Sequence, residues 1–245
     1  MKGYGARTYG DRIAGVYDEL YGTLFDVDAT VTLLAELGGG GPALELGIGT
    51  GRIALPLEDR GVDVTGIDAS EAMVAELRAK PREDDIPVVM GDFADVDIEG
   101  RFKLVFVVFN TLFNLATQDE QVRCFTNVTK HLTEDGVFLV EAFVPDMTRY
   151  TRHQTTGVDR LDSESVHLEA SRHDPVNQTV DSQHIHLRRG EPVEMYPVSI
   201  RYAYPSELDL MARLAGLRLR ARWGGWHKEP FTSESKFHVS VYEHA

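Results

Sequence analysis

The chain has 245 residues, 42% of them apolar and 26% charged, which is enough for one full-size domain to bury a core without disulfides or a structural metal. A single cysteine, Cys124, excludes an intrachain disulfide and fits a reducing compartment. No run approaches eighteen apolar residues and Met1–Gly10 has no apolar core of a signal peptide, so a membrane partner is not expected and a cytoplasmic location is. The net charge of −14 is unevenly spread. Residues 1–150 hold 13 basic against 26 acidic side chains, residues 151–204 hold 6 against 8, and residues 205–245 hold 6 against 5. With no basic cluster to neutralise phosphates, the chain is poorly built for nucleic acid or an anionic membrane, and a small-molecule partner is the better expectation.

Along the chain, Tyr17, Leu20, Tyr21 and Leu24 recur at helical spacing. A second helix over Val27–Leu37 runs into four glycines, Gly38 to Gly41. From Pro42 the pattern changes to short apolar runs, Ala43–Leu46, Val62–Ile67, Ile86–Met90, Leu104–Phe109 and Val137–Val144. Helix-like stretches lie between them at Arg52–Arg60, Ser70–Lys80 and Gln118–His131. Continuous apolar strands alternating with helices predict an α/β, Rossmann-like, doubly wound, mostly parallel sheet. The alternation stops near Pro145. Period-two stretches such as Val166–Ala170 and Val198–Ala203 predict an antiparallel β insertion lying over the sheet. Pro205 then opens a helix with Ser206 as N-cap and Gly216 after its end, and two strands close the chain, Leu217–Trp223 and Lys236–Tyr242. The expected divisions are a helical cap over 1–41, a ligand-binding core over 42–150, a β lid over 151–204, and a closing helix and β hairpin over 205–245.

The first strand feeds a turn with glycines at Gly47, Gly49 and Gly51, followed by Arg52 and a helix. Glycines let a ligand approach the backbone, and the helix N-terminus favours negative charge. The second strand ends in Asp68, where a carboxylate can accept both hydroxyls of a ribose. The third ends in Gly91-Asp92-Phe93, a carboxylate and a ring suited to an adenine, and the fourth in Phe109-Asn110. All stand at the carboxyl ends of consecutive strands, where open parallel sheets bind ligands.

These residues, Glu45-x-Gly47-x-Gly49-Thr50-Gly51, Asp68 and Gly91-Asp92-Phe93, resemble the signature of class I S-adenosylmethionine-dependent methyltransferases. The resemblance covers residues 42–145, and residues 205–245 fit that family's antiparallel last strand. It implies S-adenosyl-L-methionine as cofactor. Gly47, Gly49 and Gly51 would face its methionine part, and Asp68 its ribose, with Ala69 and Met73 beside the adenine. Asp92 and Phe93 would contact the adenine, and Phe109 and Asn110 would lie near the sulfonium. Glu45 would order the glycine loop or take the ammonium through water. Tyr9 and Tyr17-Asp18 resemble the capping helix of small-molecule members, where a tyrosine closes over the cofactor.

The lid makes the chain similar to bacterial small-molecule and amino-sugar N-methyltransferases. Some of these place a histidine late in the fourth-strand motif, where this chain has Asn114, which can bond a substrate but cannot take its proton. Asn114, Glu141 and His227 are the catalytic candidates. Arg201, Tyr202, Tyr204, Trp223 and Trp226 are further candidates, with core packing as the competing reading for the aromatics. His184 and His186, near His167 and His173, could share a metal, but a solvated strand face is the stronger expectation and no metal site is assigned. Glu83-Asp84-Asp85 reads as exposed loop charge. N- and O-methylation are both open, as is a homodimer. Two alternatives stand beside the methyltransferase: a cofactor-binding homologue without turnover, and an NAD-type oxidoreductase. The second is disfavoured because Arg52 stands where the third glycine of the nicotinamide fingerprint is expected.

Overall fold

The computed structural model describes residues 1–22, 25–81, 86–95 and 97–245. Leu24 and the acidic run Glu83-Asp84-Asp85 lie outside them. Two helices lead, α1 (Thr8–Tyr21) and α2 (Val27–Gly38). Asp26 caps α2 by accepting from Ala29 N at 2.9 Å, and Gly39 ends it at φ +56°. There follow β1 (Ala43–Leu46), α3 (Ala54–Glu58), β2 (Val64–Asp68), α4 (Glu71–Arg78), β3 (Val88–Met90), β4 (Phe102–Val107), α5 (Gln118–His131) and β5 (Leu132–Phe143). The antiparallel strands β6 (Gln154–Leu161), β7 (Ser165–Asp174), β8 (Thr179–Arg188) and β9 (Glu194–Arg201) come next, then α6 (Pro205–Leu214), β10 (Leu217–Trp223) and β11 (Phe237–His244).

The main sheet has seven strands in the order β10-β11-β5-β4-β1-β2-β3. β3, β2, β1, β4 and β5 are parallel, and β11 runs antiparallel between β5 and β10. The order reverses between β1 and β4, so a crevice opens at their carboxyl ends. Every residue of β1 is buried, as a central strand with helices on both faces requires. Phe106, Phe113, Phe125, Phe138 and Tyr242 are the bulkiest fully buried side chains. Among the described residues, no helix is long and apolar enough to cross a membrane.

The second sheet has the order β6-β7-β8-β9 and inserts between β5 and α6. A buried polar knot fastens its end to the core. Arg201 donates to Glu207 Oε1 at 2.6 Å, to Gln121 Oε1 at 2.6 Å and to Gln178 Oε1 at 3.1 Å.

Several sequence expectations change. Helix α6 starts at Pro205 with Tyr204 as N-cap and no side-chain cap, because proline at the first position sets the helical φ; Ser206 lies inside the helix. β5 starts directly after α5, five residues before the expected strand. His184 and His186 do not form a solvated face. They lie on the inner face of the second sheet, and His186 stacks flat on His167 with centroids 3.9 Å apart. Trp226 is buried and Trp223 packs against the same apolar cluster, so both are core.

Candidate active site

A cavity of about 350 Å³ opens at the carboxyl ends of β1, β2 and β3, covered by α1 and the segment before it. The glycine turn forms its floor. Gly47 sits at φ +78°, and a Cβ there would stand 2.5 Å from Thr111 Cγ2. Gly49 sits at φ +57°, where a Cβ would only touch Met73 Cε at 3.9 Å. Both facts leave bare backbone facing the cavity.

Asp68 ends β2 with each carboxylate oxygen held by a backbone donor: Gly49 N reaches Oδ2 and Ser70 N reaches Oδ1, both at 2.8 Å. Burial raises its pKa, and those N–H groups offset part of the rise. The carboxylate is therefore fixed in direction before any ligand arrives. Ser70 caps α4 by accepting from Met73 N at 3.2 Å, and its hydroxyl donates to Asp11 Oδ1 of α1 at 2.7 Å. A Cβ on Gly10 would stand 2.6 Å from Ser70 Cβ, so only glycine lets α1 lie this close. Farther along α1, Asp18 accepts from Thr50 Oγ1 at 2.7 Å and pairs with Lys80 at 2.6 Å. The cap is thus bolted to the glycine turn and to α4.

Arg52 is the residue that sequence reasoning missed. Its guanidinium lies 3.8 Å from the Phe109 ring centroid and donates to Tyr17 Oη at 3.2 Å and to Tyr21 O at 3.1 Å. Its Nε is buried with no hydrogen-bond partner, and so is Oε2 of Glu45, which lines the same cavity. Burial drives the Glu45 pKa well above the usual carboxylate range, with Arg52 pulling it back. A buried acceptor and a buried donor left unpaired at the end of β1 suit a zwitterion such as an amino acid. The available signal was an arginine one residue past a glycine turn; as a departure from the nicotinamide fingerprint it carried no role of its own. Tyr4, Gly5 and Ala6 also line the cavity and had drawn no attention.

Of the expected cofactor residues, Tyr9, Tyr17, Glu45, Gly47, Gly49, Asp68, Ala69, Met73, Asp92, Phe93 and Phe109 line the cavity. Gly51 does not. It sits at φ +74°, and a Cβ there would meet Leu77 Cδ1 of α4 at 2.4 Å and Leu55 of α3 at 3.4 Å, so it serves the packing of these helices against the turn. Asn110 does not either: at φ +62° its Oδ1 accepts from Phe143 N at 2.6 Å.

The three catalytic candidates separate. Asn114 lines the cavity. Glu141 is buried behind it, where Oε2 accepts from Phe109 N at 2.5 Å; burial pushes its pKa up to about 7, and the backbone donors of Phe109 and Asn110 pull the other way. It holds two consecutive left-handed residues, Phe109 at φ +56° and Asn110, in place. His227 is largely exposed and faces Asp26 at 3.5 Å, outside the cavity wall.

A model of the methyltransferase domain matches residues 43–136. The Cypemycin N-terminal methyltransferase of a Streptomyces species is 30% identical over 210 residues, 83% of either chain. The structure of the CcbJ methyltransferase from Streptomyces caelestis superposes with a TM-score of 0.93 at 43% identity, covering 99% of this chain and 100% of that one. The sugar N-methyltransferase KedS8 from Streptoalloteichus shares the fold at a TM-score of 0.69 and 19% identity, over 99% of each chain. With relatives 30% and 43% identical over most of its length, the chain belongs to the class I S-adenosylmethionine-dependent methyltransferases, and S-adenosyl-L-methionine is its cofactor.

Proposed function

We propose that the protein methylates an amine nitrogen of a small molecule. One observation carries this reading: the wall beside Phe109 offers Tyr9, Tyr17 and Asn114 and, among the described residues, no histidine. Burial raises the Tyr9 phenol well above its ordinary pKa and Tyr17 to about 12, so both stay protonated and neither serves as a base near neutral pH. A hydroxyl acceptor needs a base within hydrogen-bond reach, whereas a neutral amine carries its own lone pair. Of the carboxylates in the cavity, Glu45, Asp68 and Asp92 end β1, β2 and β3, and Glu120 is spent in the capping box of α5 with Thr117. Two of the relatives bear on this, one being named an N-terminal and one a sugar N-methyltransferase.

When bound, the cofactor supplies an electrophilic methyl on a sulfonium, so the protein has to align and desolvate rather than activate. In this reading Asp68 takes the ribose hydroxyls, and Asp92 and Phe93 the adenine. Arg52 and Glu45 take the carboxylate and ammonium of the methionine part. Tyr9, Tyr17, Phe109 and Asn114 exclude water and orient the incoming nitrogen. Glu141 acts from behind by fixing Phe109 and Asn110. His227 has no part. The cap over 1–41 closes on the cofactor with Tyr4, Tyr9 and Tyr17 in the cavity wall, whereas no residue of the lid over 151–204 lines that wall. The −13 charge of residues 1–150 opposes nucleic-acid acceptors.

The test is release of S-adenosylhomocysteine from S-adenosylmethionine with matched acceptors that differ only in bearing an amine, a phenol or an alcohol. Turnover is expected with amines. Turnover confined to phenols or alcohols overturns the nitrogen assignment, and binding without turnover on a broad amine panel favours a non-catalytic binder.

A further inference from the structure

Helix α1 covers the cavity, yet it stands apart from the core. Its buried residues Ile13 and Ala14 join a small cluster with Met73 of α4 and Tyr196 of β9. Among the described residues, no side chain of α1 belongs to either of the two large apolar clusters of the fold. A segment with so few apolar contacts can part from the domain without opening its core. Polar bonds hold it instead, and one set of them closes a ring across three elements. Asp18 Oδ1 accepts from Thr50 Oγ1 at 2.7 Å, Asp18 Oδ2 pairs with Lys80 Nζ at 2.6 Å, and Lys80 Nζ donates to the Thr50 carbonyl at 2.6 Å. Thr50 is buried between Gly49 and Gly51, both at positive φ, so the ring grips the glycine turn itself. Burial works to raise the Asp18 carboxyl, but the bonds from Lys80 and Thr50 outweigh it and hold the group below its ordinary range.

We propose that the Asp18–Thr50–Lys80 ring is a latch that sets the rates at which the cofactor enters and S-adenosylhomocysteine leaves. Tyr9, Gly10 and Tyr17 of α1, with the segment before it, form one wall of the cavity, so exchange of a nucleoside-sized ligand lifts that wall. Tyr17 and Asp18 stand about 100° apart around the helix, which puts the phenol in the cavity wall and the carboxylate on the glycine turn. Neither Asp18 nor Lys80 lines the cavity, so these two side chains do not touch what is bound there. The latch therefore opposes entry and exit alike and leaves the equilibrium affinity nearly unchanged. A residue in contact with the cofactor would slow exit alone. The other ties of α1 differ in this respect. Ser70, which donates to Asp11, also holds Asp68 through its backbone N–H, and the Arg52 bond to Tyr17 joins two residues of the wall. The Asp18 ring is thus the place where the cap can be loosened without altering the site. Every methyl transfer ends with S-adenosylhomocysteine in the cavity, and product release limits turnover in many enzymes, so the latch acts on the reaction cycle itself.

Surface plasmon resonance of S-adenosylhomocysteine over the immobilised full chain separates the two rates and needs no methyl acceptor. Asp18→Asn keeps the size of the side chain but turns an NH₂ towards Lys80, and Lys80→Met removes the cation. Association and dissociation are both expected to quicken, about tenfold in Asp18→Asn and about fivefold in Lys80→Met, with dissociation constants within about threefold of wild type. Added salt screens the Asp18–Lys80 pair, so it should speed both rates in the wild-type protein and leave Lys80→Met almost unmoved. Melting curves show that the variants are folded, and Lys80→Met, at a partly exposed side chain, carries the test if Asp18→Asn does not fold. Rates within about twofold of wild type in folded protein overturn the latch. Faster exit alone, with a matching loss of affinity, also overturns it, because that marks a cofactor contact or a general loosening of the site.

Discussion

Asp68→Asn probes the cofactor site with the least disturbance of shape. In the wild-type protein both carboxylate oxygens accept a backbone N–H at 2.8 Å, from Gly49 and Ser70, so the side chain cannot turn. Two ribose hydroxyls would use the remaining lone pairs. Asparagine keeps one oxygen for one amide, but its NH₂ then faces the other amide donor. The variant thus loses two charge-assisted hydrogen bonds to ligand and gains a donor–donor clash. Hydrogen bonds to a charged group contribute about 1.5–3 kcal/mol each, of which part is recovered by water when the ligand is absent. A net loss of about 2–4 kcal/mol follows, or roughly 30- to 700-fold in dissociation constant at 1.4 kcal/mol per decade. Calorimetric titration with S-adenosylhomocysteine reads this directly. An affinity within threefold of wild type, in protein with an unchanged melting curve, would refute the ribose assignment and the reasoning from strand-end geometry.

Other perturbations test other links. Gly10→Val drives a side chain into Ser70, and a cost of about 1–3 kcal/mol in stability is expected together with weaker S-adenosylhomocysteine binding, read by melting and calorimetry. Arg201→Met leaves Glu207 without its 2.6 Å partner in a nearly buried site, so a loss of about 3–5 kcal/mol in urea denaturation is expected. Stability should depend on pH through two buried groups of opposite sign. His238 has its pKa lowered by burial to about 3, so the unfolded chain binds the extra proton and stability should fall as pH drops below about 6.5; His238→Asn should flatten that fall. Glu141 is raised to about 7, so the folded chain binds the extra proton and stability should fall as pH rises from about 4.5 towards 7; Glu141→Gln should remove that fall, seen as a melting-temperature gain that grows with pH.

Much of the cofactor side could be read from residue order because it is local. A buried strand, a glycine turn and a carboxylate at the next strand end are each set by neighbours in the chain, and Gly47, Gly49, Asp68 and Asp92 all line one cavity. Periodicity also located α5, β1 and β10, whose apolar patterns have sharp ends. What escaped depends on contacts between distant segments. Arg52 gains meaning only when Tyr17, Tyr21 and Phe109 surround it. Glu141 lies one strand away from the loop it holds, and no spacing along the chain shows that relation. His227 looked chemical by type, yet the turn before β11 carries it to Asp26, the N-cap of α2, and it does not line the cavity. The inner face of the lid was misread because alternation identifies two faces without saying which one meets the core.

The central claim, transfer of a methyl group to nitrogen on a small molecule, is tested most directly with S-adenosylmethionine labelled on its methyl carbon. The protein is incubated with labelled cofactor and a fractionated lysate, and the label is traced by size and then by carbon NMR. The account expects label in the small-molecule fraction, on carbon bonded to nitrogen. Label carried mainly by protein or RNA, or found on oxygen-bound carbon, would contradict it.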